Sequence, residues 1–571
     1  MPNLPETQYA VQLVGPNELV LNPSKEVVGP GRYQILCQVE AVGLCFSDLK
    51  LLKQFSGHVR KSEIVSGREP RGVNGHKPDA VYGIEQHVLS EIPSYVPGDL
   101  PTVPGHETVV RIVAVGPNVQ NFKPGRRYLV QTDYRWLPTV GSNAAFGYNF
   151  EGALQEYVLM DERVITSPEG NSMLIPVPEE LSASAIALVE PWACVEHAYV
   201  SKERQSLKTN GRMLVVADTE LPRDALRNLF NRCGRPSQIT WVSQSAAPTG
   251  LDVAIKKAAG ILELEDAGFD DVIYFGSDAE TVGALFAKVA AQGLLNIVLC
   301  GGKFGRDVVT PVGRVHYAGI RIIGTTGTYP AESMKNIPET GEIRACDKIH
   351  VIGAAGPMGM MHVIRNISQD VEGISIFASD VDETRLATLI RIAAPLAKKN
   401  GIKLSCYNPA KDEIKEAFSY TTLMVPIPDL VPASVCSAAD RGIINIFAGI
   451  PAVVAAKVDL DTYIRKQLYF VGTSGSVLDD MKRVLAKVES GRLDTNVCIA
   501  AVSGLDGAVE GIRAVENRSV PGKIVIYPGC KGLKLTQLKN LQSQIPQVVE
   551  CLREGMWNKR AEKALLKLYA N

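Results

Sequence analysis

The sequence predicts an α/β protein in which two tandem doubly wound domains follow a small β-barrel. The strand-like run QGLLNIVLCGG at 292–302 recurs as RGIINIFAGIP at 441–451. Short apolar, β-branched runs alternate with helical stretches around both copies, which is typical of parallel sheets with crossover helices. Nearer the N-terminus, glycine turns at Gly116 and Gly125 follow a strand and indicate the barrel.

The repetition extends over five strands in the same order. The other matched runs are GRMLVVADTE (211–220) with DKIHVIGAAG (347–356), QITWVSQS (238–245) with GISIFASD (373–380), DDVIYFGSDAE (270–280) with TTLMVPIPDLV (421–431), and IRIIGTTGT (320–328) with LYFVGTSGS (468–476). Two unrelated α/β domains could share similar buried strands, but the common order favours a duplication. We therefore expect one domain at 206–330 and another at 346–475.

Composition is typical of a soluble, cytoplasmic protein. Lys plus Arg number 60 against 61 for Asp plus Glu, so the bulk charge does not predict a nucleic-acid partner. The 11 cysteines are scattered, which argues against a disulfide framework. The N-terminus lacks the layout of a signal peptide, and no apolar run approaches the roughly 18 residues of a membrane span.

Only the second copy has the features of a dinucleotide site. Its first strand runs into Gly353, Gly356 and Gly359 before a helix, so the backbone can approach a pyrophosphate at the helix N-terminus. The next strand ends at Asp380, where a carboxylate would accept hydrogen bonds from the ribose hydroxyls. Because that carboxylate repels an extra phosphate, NAD is favoured over NADP.

The first copy lacks these features. Ala217, Asp218 and Thr219 stand in place of the glycines, Pro222 follows, and Ser245 replaces the terminal carboxylate. We expect 206–330 to serve scaffolding, interdomain packing or assembly rather than cofactor binding.

The front of the chain contains a candidate metal site. Cys45, the adjacent His106 and Glu107, and Glu190 offer a thiolate, an imidazole and carboxylates, a mixed set that suits zinc. Each also has a structural interpretation: a buried cysteine, a surface or capping His-Glu pair, and a glutamate that caps or ends a helix.

These motifs resemble the zinc-dependent medium-chain alcohol dehydrogenase superfamily, in its sorbitol dehydrogenase-like branch. The motifs C-x-S-D, G-H-E and E-P-x-x-x-x-x-H-A occur in family order, and other family-like segments are GALQEYVLM (152–160), PMGMMHVIR (357–365), GKIVIYP (522–528) and EGMWNKRAEKALL (554–566). The tail and PMGMMHVIR resemble the sugar-phosphate and polyol reductase group.

The resemblance covers about 1–205 and 346–528, and together with the repeat and the basic tail it divides the chain into four expected parts. The expected parts are a GroES-like β-barrel catalytic domain at 1–205, to which 476–528 returns and which has an insertion at about 53–102; a degenerate Rossmann-like domain at 206–330; an NAD-binding Rossmann domain at 346–475; and a C-terminal helical extension at 529–571 that packs on the catalytic domain.

The resemblance also implies roles for individual residues. Cys45 and His106 would bind one catalytic zinc, with Glu107 or Glu190 as the third protein ligand. The candidate catalytic residues are Ser47, which would start a proton relay, Asp48, which would accept from His106, and Glu107. The candidate cofactor contacts are Gly353, Gly356, Pro357, Met358, Gly359, Asp380, Arg385, Thr473 and Ser474.

The chain also departs from the family pattern. The segment between Cys45 and His106 is much longer than usual, the four-cysteine structural-zinc lobe is absent, and the nucleotide domain is doubled. Several basic residues could meet a substrate phosphate or could lie in solvated loops: Arg68, Arg71, Lys77, Arg126 and Arg127.

These features lead to three functional hypotheses. The first is a zinc-dependent oxidoreductase that interconverts the alcohol and ketone of a polyol, sugar or sugar phosphate with NAD. The second is a lyase or epimerase with tightly bound NAD in transient internal redox. The third is a non-catalytic scaffold, which the intact constellation disfavours. A homo-oligomer, dimer or tetramer, is expected.

Overall fold

The computed structural model describes residues 4–65 and 83–570. These residues form two compact units, Met1–Cys194 with Ser476–Asn571, and Val195–Gly475. None of the helices in these ranges is both long and apolar enough to cross a membrane.

The first part of the chain is rich in strands. Its strands are β1 (Thr7–Gly15), β2 (Glu18–Glu26), β3 (Gln34–Gly43), β4 (Glu107–Val115), β5 (Arg127–Val130), β6 (Asp133–Pro138), β7 (Asn143–Ala145), β8 (Tyr157–Asp161) and β9 (Leu174–Pro176). Its helices are α1 (Asp48–Gln54), α2 (Gln86–Ser90), α3 (Glu162–Ile165), α4 (Ala183–Ala187) and α5 (Val189–Val200).

The middle part alternates strands and helices. Its strands are β10 (Arg212–Ala217), β11 (Gln238–Ser243), β12 (Ala254–Lys257), β13 (Phe269–Phe275), β14 (Val289–Val298), β15 (Val308–Thr310), β16 (Arg321–Thr325), β17 (Lys348–Ile352), β18 (Ser375–Ser379), β19 (Lys403–Tyr407), β20 (Phe418–Leu423), β21 (Ala438–Ile446), β22 (Ala456–Val458) and β23 (Tyr469–Val471). Its helices are α6 (Ala225–Cys233), α7 (Ala279–Lys288), α8 (Val312–Tyr317), α9 (Pro330–Met334), α10 (Pro357–Ile367), α11 (Glu383–Lys399), α12 (Leu430–Ser437) and α13 (Leu460–Arg465).

The last part returns to the first unit. Its strands are β24 (Ile499–Ser503), β25 (Lys523–Ile526) and β26 (Thr536–Gln537). Its helices are α14 (Leu478–Glu489), α15 (Ala508–Glu516), α16 (Leu541–Gln544), α17 (Pro546–Val549) and α18 (Lys559–Leu568).

The first unit is built on an eight-stranded sheet. Its order is β26-β24-β25-β3-β4-β5-β9, with β8 also paired to β3. β3 is buried along most of its length, whereas β4 is buried over its first four residues and then alternates buried with partly exposed residues. The segment containing β25 pairs with β3 at the residues that precede Cys45, so the end of the chain supports the candidate metal site.

The second unit contains two six-stranded parallel sheets with the same strand order. One runs β12-β11-β10-β13-β14-β16 and the other β19-β18-β17-β20-β21-β23. The repeated runs 294–298 and 442–446 are continuously buried in β14 and β21, which is why both read as uninterrupted apolar stretches. Residues from both sheets pack into one hydrophobic core.

The two sheets meet through equivalent elements, which we call the mirrored junction: β15, α8 and β16 from one, and β22, α13 and β23 from the other. β15 pairs antiparallel with β22. α8 packs on β21 and β23, while α13 packs on β16. Backbone approach is close here, since a Cβ at Gly313 would lie 2.0 Å from the Pro451 carbonyl oxygen.

The C-terminal extension packs on the first unit, as the sequence predicts. The Glu562 carboxylate accepts hydrogen bonds from the backbone amides of Ala183 and Ser184 at 2.6 and 2.8 Å, and from the Tyr527 hydroxyl at 2.9 Å. The expected helical extension is regular only in α18. Residues 535–555 form short turns and helices, because Pro546 interrupts hydrogen bonding between successive turns.

Candidate functional site

A tight turn after β3 presents Cys45. Ser47 is the N-cap of α1, and the Asp48 side chain folds back so that its Oδ2 accepts from the Cys45 amide at 3.1 Å. This local loop fixes the thiol at the end of a buried strand.

His106 is positioned from both sides of its chain segment. The preceding Gly105 has φ +96°, and a Cβ there would lie 2.9 Å from Leu154 Cγ, so glycine is required. Asp48 Oδ1 lies 2.9 Å from His106 Nδ1, leaving Nε2 as the ligand atom. Ser47 Oγ lies 3.1 Å from both that Nε2 and Cys45 Sγ.

Three of the predicted metal ligands come together. One ligand atom each from Cys45, His106 and Glu107 lies within 4.8 Å of the other two; we call them the ligand cluster. Glu107 Oε1 accepts from Lys523 Nζ at 2.6 Å, whereas its Oε2 is buried without a hydrogen-bond partner among the described residues. A buried carboxylate oxygen without a partner is costly unless a cation or proton satisfies it, so the cluster fits a metal ion.

Burial and nearby charges shift the pKa of one member of the cluster, His106, and of one neighbour, Glu190. Burial is the largest single influence and lowers the imidazole pKa, but Asp48, Tyr148 and the hydrogen bond to Cys45 together outweigh it and raise the pKa of His106 well above its usual range. Burial raises the pKa of Glu190 to about 7; His106 opposes that rise and Glu107 adds to it. Glu190 is therefore close enough for the charges of His106 and Glu107 to change its pKa.

Glu190 itself lies outside the ligand cluster. It sits in the first turn of α5, and its Oε1 accepts from Cys194 Sγ at 3.7 Å. Both candidates for the third ligand are thus near the site, but only Glu107 offers an oxygen within the cluster.

The sequence did not predict several residues around this cluster. Lys523 lies in the GKIVIYP strand and is 5% exposed, and no pattern in that segment indicates its contact with Glu107. Tyr148 packs its ring centroid 5.9 Å from that of His106, and Arg60 lies 5.6 Å from the Tyr148 ring. Asp133 pairs with Arg60 at 2.6 Å, and nothing in the local sequence marks this pair.

The glycine turn of the second sheet has the shape that a dinucleotide needs. Gly353 has φ +79°, and a Cβ at Gly359 would lie 2.3 Å from the Gly353 carbonyl oxygen, so both glycines are required by the backbone. A Cβ at Gly356 would meet only one atom, 3.8 Å away. Gly356 is the N-cap of α10, whose first two residues are Pro357 and Met358, and a helix N-terminus favours an anionic group.

The other predicted cofactor residues are more scattered. Asp380 follows β18, and its carboxylate accepts from the Ala355 amide at 3.0 Å, which places it beside the glycine turn. Arg385 lies in α11, with its Nε 3.5 Å from Asp382. Thr473 and Ser474 follow β23, where the Thr473 hydroxyl is buried and unpaired among the described residues.

The corresponding turn of the first sheet is filled by side chains. The Tyr274 hydroxyl donates to Asp218 Oδ2 at 2.5 Å, directly after β10. α6 begins only at Ala225, eight positions after β10 ends, whereas α10 begins five positions after β17 ends. A carboxylate at the strand end and a distant helix both oppose pyrophosphate binding.

The predicted phosphate contacts have mixed outcomes. Arg68, Arg71 and Lys77 lie outside the described residues. Arg127 is only 4% exposed and pairs with Glu40 at 2.7 Å, while its Nη1 donates to the carbonyls of Pro178 and Leu181. Arg127 is therefore structural, and the expectation that it could meet a phosphate is wrong.

Comparison with known proteins identifies the region that holds the ligand cluster. Residues 31–169 match the family described as "Alcohol dehydrogenase GroES-like domain". This part of the chain therefore contains a GroES-like domain of the alcohol dehydrogenase type. The predicted resemblance is confirmed, and the α/β fold combines this GroES-like domain with Rossmann-like parallel sheets.

Two curated relatives act on sugar phosphates by name. The alcohol dehydrogenase relative "Mannitol-1-phosphate 5-dehydrogenase" from Aliivibrio fischeri is 29% identical over 243 residues, 38% of this chain and 56% of its own length. "L-sorbose 1-phosphate reductase" from Klebsiella pneumoniae is 23% identical over 224 residues, 38% of this chain and 54% of its own. This chain thus spans only about half the length of these relatives.

A solved structure supports the alcohol dehydrogenase fold. 2R,3R-butanediol dehydrogenase from Bacillus subtilis aligns with a TM-score of 0.50 and 14% identity, covering 91% of this chain and 100% of that one. At this identity the likeness concerns the fold alone.

Proposed function

We propose that this protein is a zinc-dependent oxidoreductase that interconverts a secondary alcohol and a ketone of a polyol, sugar or sugar phosphate by hydride transfer with NAD. The observation that carries the proposal is the ligand cluster, whose three different donor types converge around the unpaired Glu107 Oε2. That donor set suits zinc and leaves room for a substrate oxygen.

Cys45, His106 and Glu107 would hold the metal, with Glu190 nearby as an alternative carboxylate. Zinc bound there would supply a Lewis acid that lowers the pKa of an alcohol hydroxyl. Asp48 holds the Nδ1 proton of His106, which directs the Nε2 lone pair toward the cluster. Lys523 balances the charge of Glu107 on the side away from the unpaired oxygen.

Ser47 is the candidate proton carrier. Its Oγ lies 3.1 Å from both Cys45 Sγ and His106 Nε2, so a substrate hydroxyl at the cluster would be within reach of it. A serine hydroxyl both donates and accepts, and it can therefore take the substrate proton while passing its own outward.

The second sheet would bind NAD, which supplies the hydride acceptor. Gly353 and Gly359 permit the turn, Gly356 leaves space for the pyrophosphate, and Asp380 would hold the adenine ribose. The two sheets are proposed to be tandem Rossmann-type domains, of which the first is a degenerate copy without a cofactor. Their common strand order and the mirrored junction support this proposal.

Metal content and NADH formation test the function together. Three proteins are compared: the wild type, Cys45→Ser and the control Cys551→Ser, which alters a cysteine of the C-terminal extension. Elemental analysis measures their zinc, and a panel of polyols and sugar phosphates tests each for NADH formation. We expect about one zinc per chain in the wild type and the control, loss of zinc in Cys45→Ser, and NADH release with one substrate. Zinc without NADH release points instead to internal redox, and absence of zinc contradicts the metal site.

A further inference from the structure

Two arginines beside the ligand cluster have no role in the proposed chemistry. We propose that Arg60 and Arg135 form a phosphate subsite, so that the substrate is the phosphomonoester of a polyol or keto sugar. This inference rests on the proposed function, because it selects one substrate class for the same site.

The two guanidinium groups share one carboxylate. Arg60 Nη1 donates to Asp133 Oδ1 at 2.6 Å, and Arg135 Nη2 lies 3.8 Å from Asp133 Oδ2. Arg135 Nη2 also donates to the Ser476 carbonyl at 2.7 Å. Two cations face one anion among these three side chains, and the Glu190 carboxyl group also acts on Arg60. Asp133 and the Ser476 carbonyl hold the two guanidinium groups in place.

Most of the donors on these arginines remain available. A guanidinium has five N–H groups, and within residues 4–65 and 83–570 the only side-chain hydrogen bonds found use one Nη atom of each arginine. The Arg60 and Arg135 side chains are 28% and 27% exposed, whereas Asp133 is 9% exposed. Both arginine side chains are therefore partly exposed, and a planar guanidinium binds phosphate oxygens in pairs.

The position of Arg60 connects the arginines to the reacting end of the site. Its Cζ lies 5.6 Å from the Tyr148 ring centroid, and the same ring lies 5.9 Å from the His106 ring. A single aromatic side chain thus separates the guanidinium from a member of the ligand cluster. A small substrate with its phosphate on Arg60 would place its remaining carbons beside Tyr148 and the cluster.

The local charge is also consistent with an anion. Burial, with smaller contributions from the Arg60 and Lys50 charges, lowers the pKa of His58 to about 4. His58 Nδ1 accepts from the Arg60 amide at 3.2 Å, so this histidine supports the loop in its neutral form. Arg60 lies in the long segment between Cys45 and His106, which gives that additional chain a function in substrate selection.

The test compares phosphorylated and free substrates in the full chain with Zn²⁺ and NAD. The first pair is mannitol 1-phosphate and mannitol, each oxidised with NAD. The second pair is L-sorbose 1-phosphate and L-sorbose, each reduced with NADH in place of NAD. The variants are Arg60→Gln, Arg60→Lys, Arg135→Gln and the control Arg163→Gln, an arginine of the same unit that pairs with Asp161 and is 25% exposed. Binding of inorganic phosphate is measured separately by calorimetry.

We expect the wild type to prefer the phosphorylated member of a pair. In Arg60→Gln the ratio of kcat/KM for phosphorylated over free substrate should fall roughly 10- to 100-fold, mainly through KM, as loss of charge-assisted hydrogen bonds predicts. Arg60→Lys should recover part of the ratio, Arg135→Gln should lower it, and Arg163→Gln should leave it unchanged.

Other outcomes separate the two proposals. Turnover of free polyol without a preference for the phosphate ester would overturn the subsite while the oxidoreductase remains. An equal fall in kcat/KM for both members of a pair in Arg60→Gln would show a structural role for the arginine and overturn the subsite too. If no alcohol or ketone reacts, the proposed function is wrong. Calorimetry then tests the subsite by itself: phosphate binding to the wild type but not to Arg60→Gln supports it, and any other result contradicts it.

Discussion

His106 shows how one carboxylate can orient a candidate metal ligand. Asp48 Oδ1 holds the Nδ1 side of the ring, while Asp48 Oδ2 accepts from the Cys45 amide. One side chain therefore orients two of the three members of the ligand cluster. This arrangement depends on charge as well as position, because the carboxylate strengthens the imidazole as a ligand.

Asp48→Asn should lower zinc affinity roughly 10- to 100-fold while the chain remains folded. The amide can still accept from Nδ1 but no longer carries the charge that makes Nε2 a strong donor. Competition with a chelator measures the affinity. The control is Asp479→Asn, which alters an exposed aspartate in the first turn of α14. Equal zinc affinity in wild type and Asp48→Asn would contradict the assigned role.

Lys523 and Glu107 form an ion pair that is almost completely buried. Their side chains are 5% and 0% exposed, and Lys523 Nζ also donates to the Leu44 carbonyl. Removing one partner of such a pair leaves an uncompensated charge in the interior, which costs far more than the pair itself contributes.

Lys523→Met should destabilise the metal-free first unit by about 3–5 kcal/mol, as measured by urea unfolding in the presence of a chelator. The double variant Lys523→Met with Glu107→Gln should recover part of that loss, because no buried charge remains unpaired. If Glu107→Gln lowered the stability of Lys523→Met as much as it lowers that of the wild type, Lys523 and Glu107 would not be coupled as a buried ion pair.

The glycine turn illustrates which features can be predicted at the level of an element. Gly353, Gly356, Gly359 and Asp380 could be found from sequence because a strand, a turn, a helix and a second strand lie within one continuous stretch. The contrast with the first copy was also visible, since Asp218 occupies the turn there. The Asp218–Tyr274 hydrogen bond that fills this space was not predictable, because it joins two strands through tertiary packing.

Gly359→Ala should weaken NAD binding by roughly tenfold or more, because a Cβ 2.3 Å from the Gly353 carbonyl oxygen forces the turn to move. Calorimetric titration with NAD measures the effect. The matched control is Gly283→Ala in α7, where a Cβ would meet nothing within 4 Å. The control should keep NAD affinity and gain about 0.5–1 kcal/mol of stability. Undiminished NAD binding by Gly359→Ala would exclude this turn as the cofactor site.

Across the whole molecule, local motifs were predictable and long-range partners were not. Cys45, His106 and Glu107 were found because each lies in a short motif. Lys523 was missed because its partner Glu107 is 416 positions away, and no pattern within either segment indicates the contact. The repeated strands predicted two similar parallel sheets, but the antiparallel pairing of β15 with β22 depends on how the sheets pack.

Buried histidines should make the folded state sensitive to acid. Burial lowers the pKa of His350 to about 4; for His362, burial and then Arg365 lower it to about 3. Because the unfolded chain binds more protons than the folded one below about pH 6.5, their contribution to stability is complete above that pH and is lost as pH falls toward these values.

His362→Gln should flatten this dependence by up to about 1.4 kcal/mol per pH unit between about pH 6 and 4. Urea unfolding of the full chain across that range gives the slope. His87→Gln, which alters a histidine that is 70% exposed, should keep the wild-type slope. If His362→Gln also kept it, the buried imidazole would not be the source of the acid sensitivity.

The mirrored junction has a consequence for how the two halves can change. In a dimer of identical chains, every substitution appears on both sides of the interface at once. Here the facing elements are encoded separately, so one half can lose a binding turn while the other keeps it and the contact between them persists. The local concentration of one half around the other is also set by the chain, so their association does not weaken on dilution.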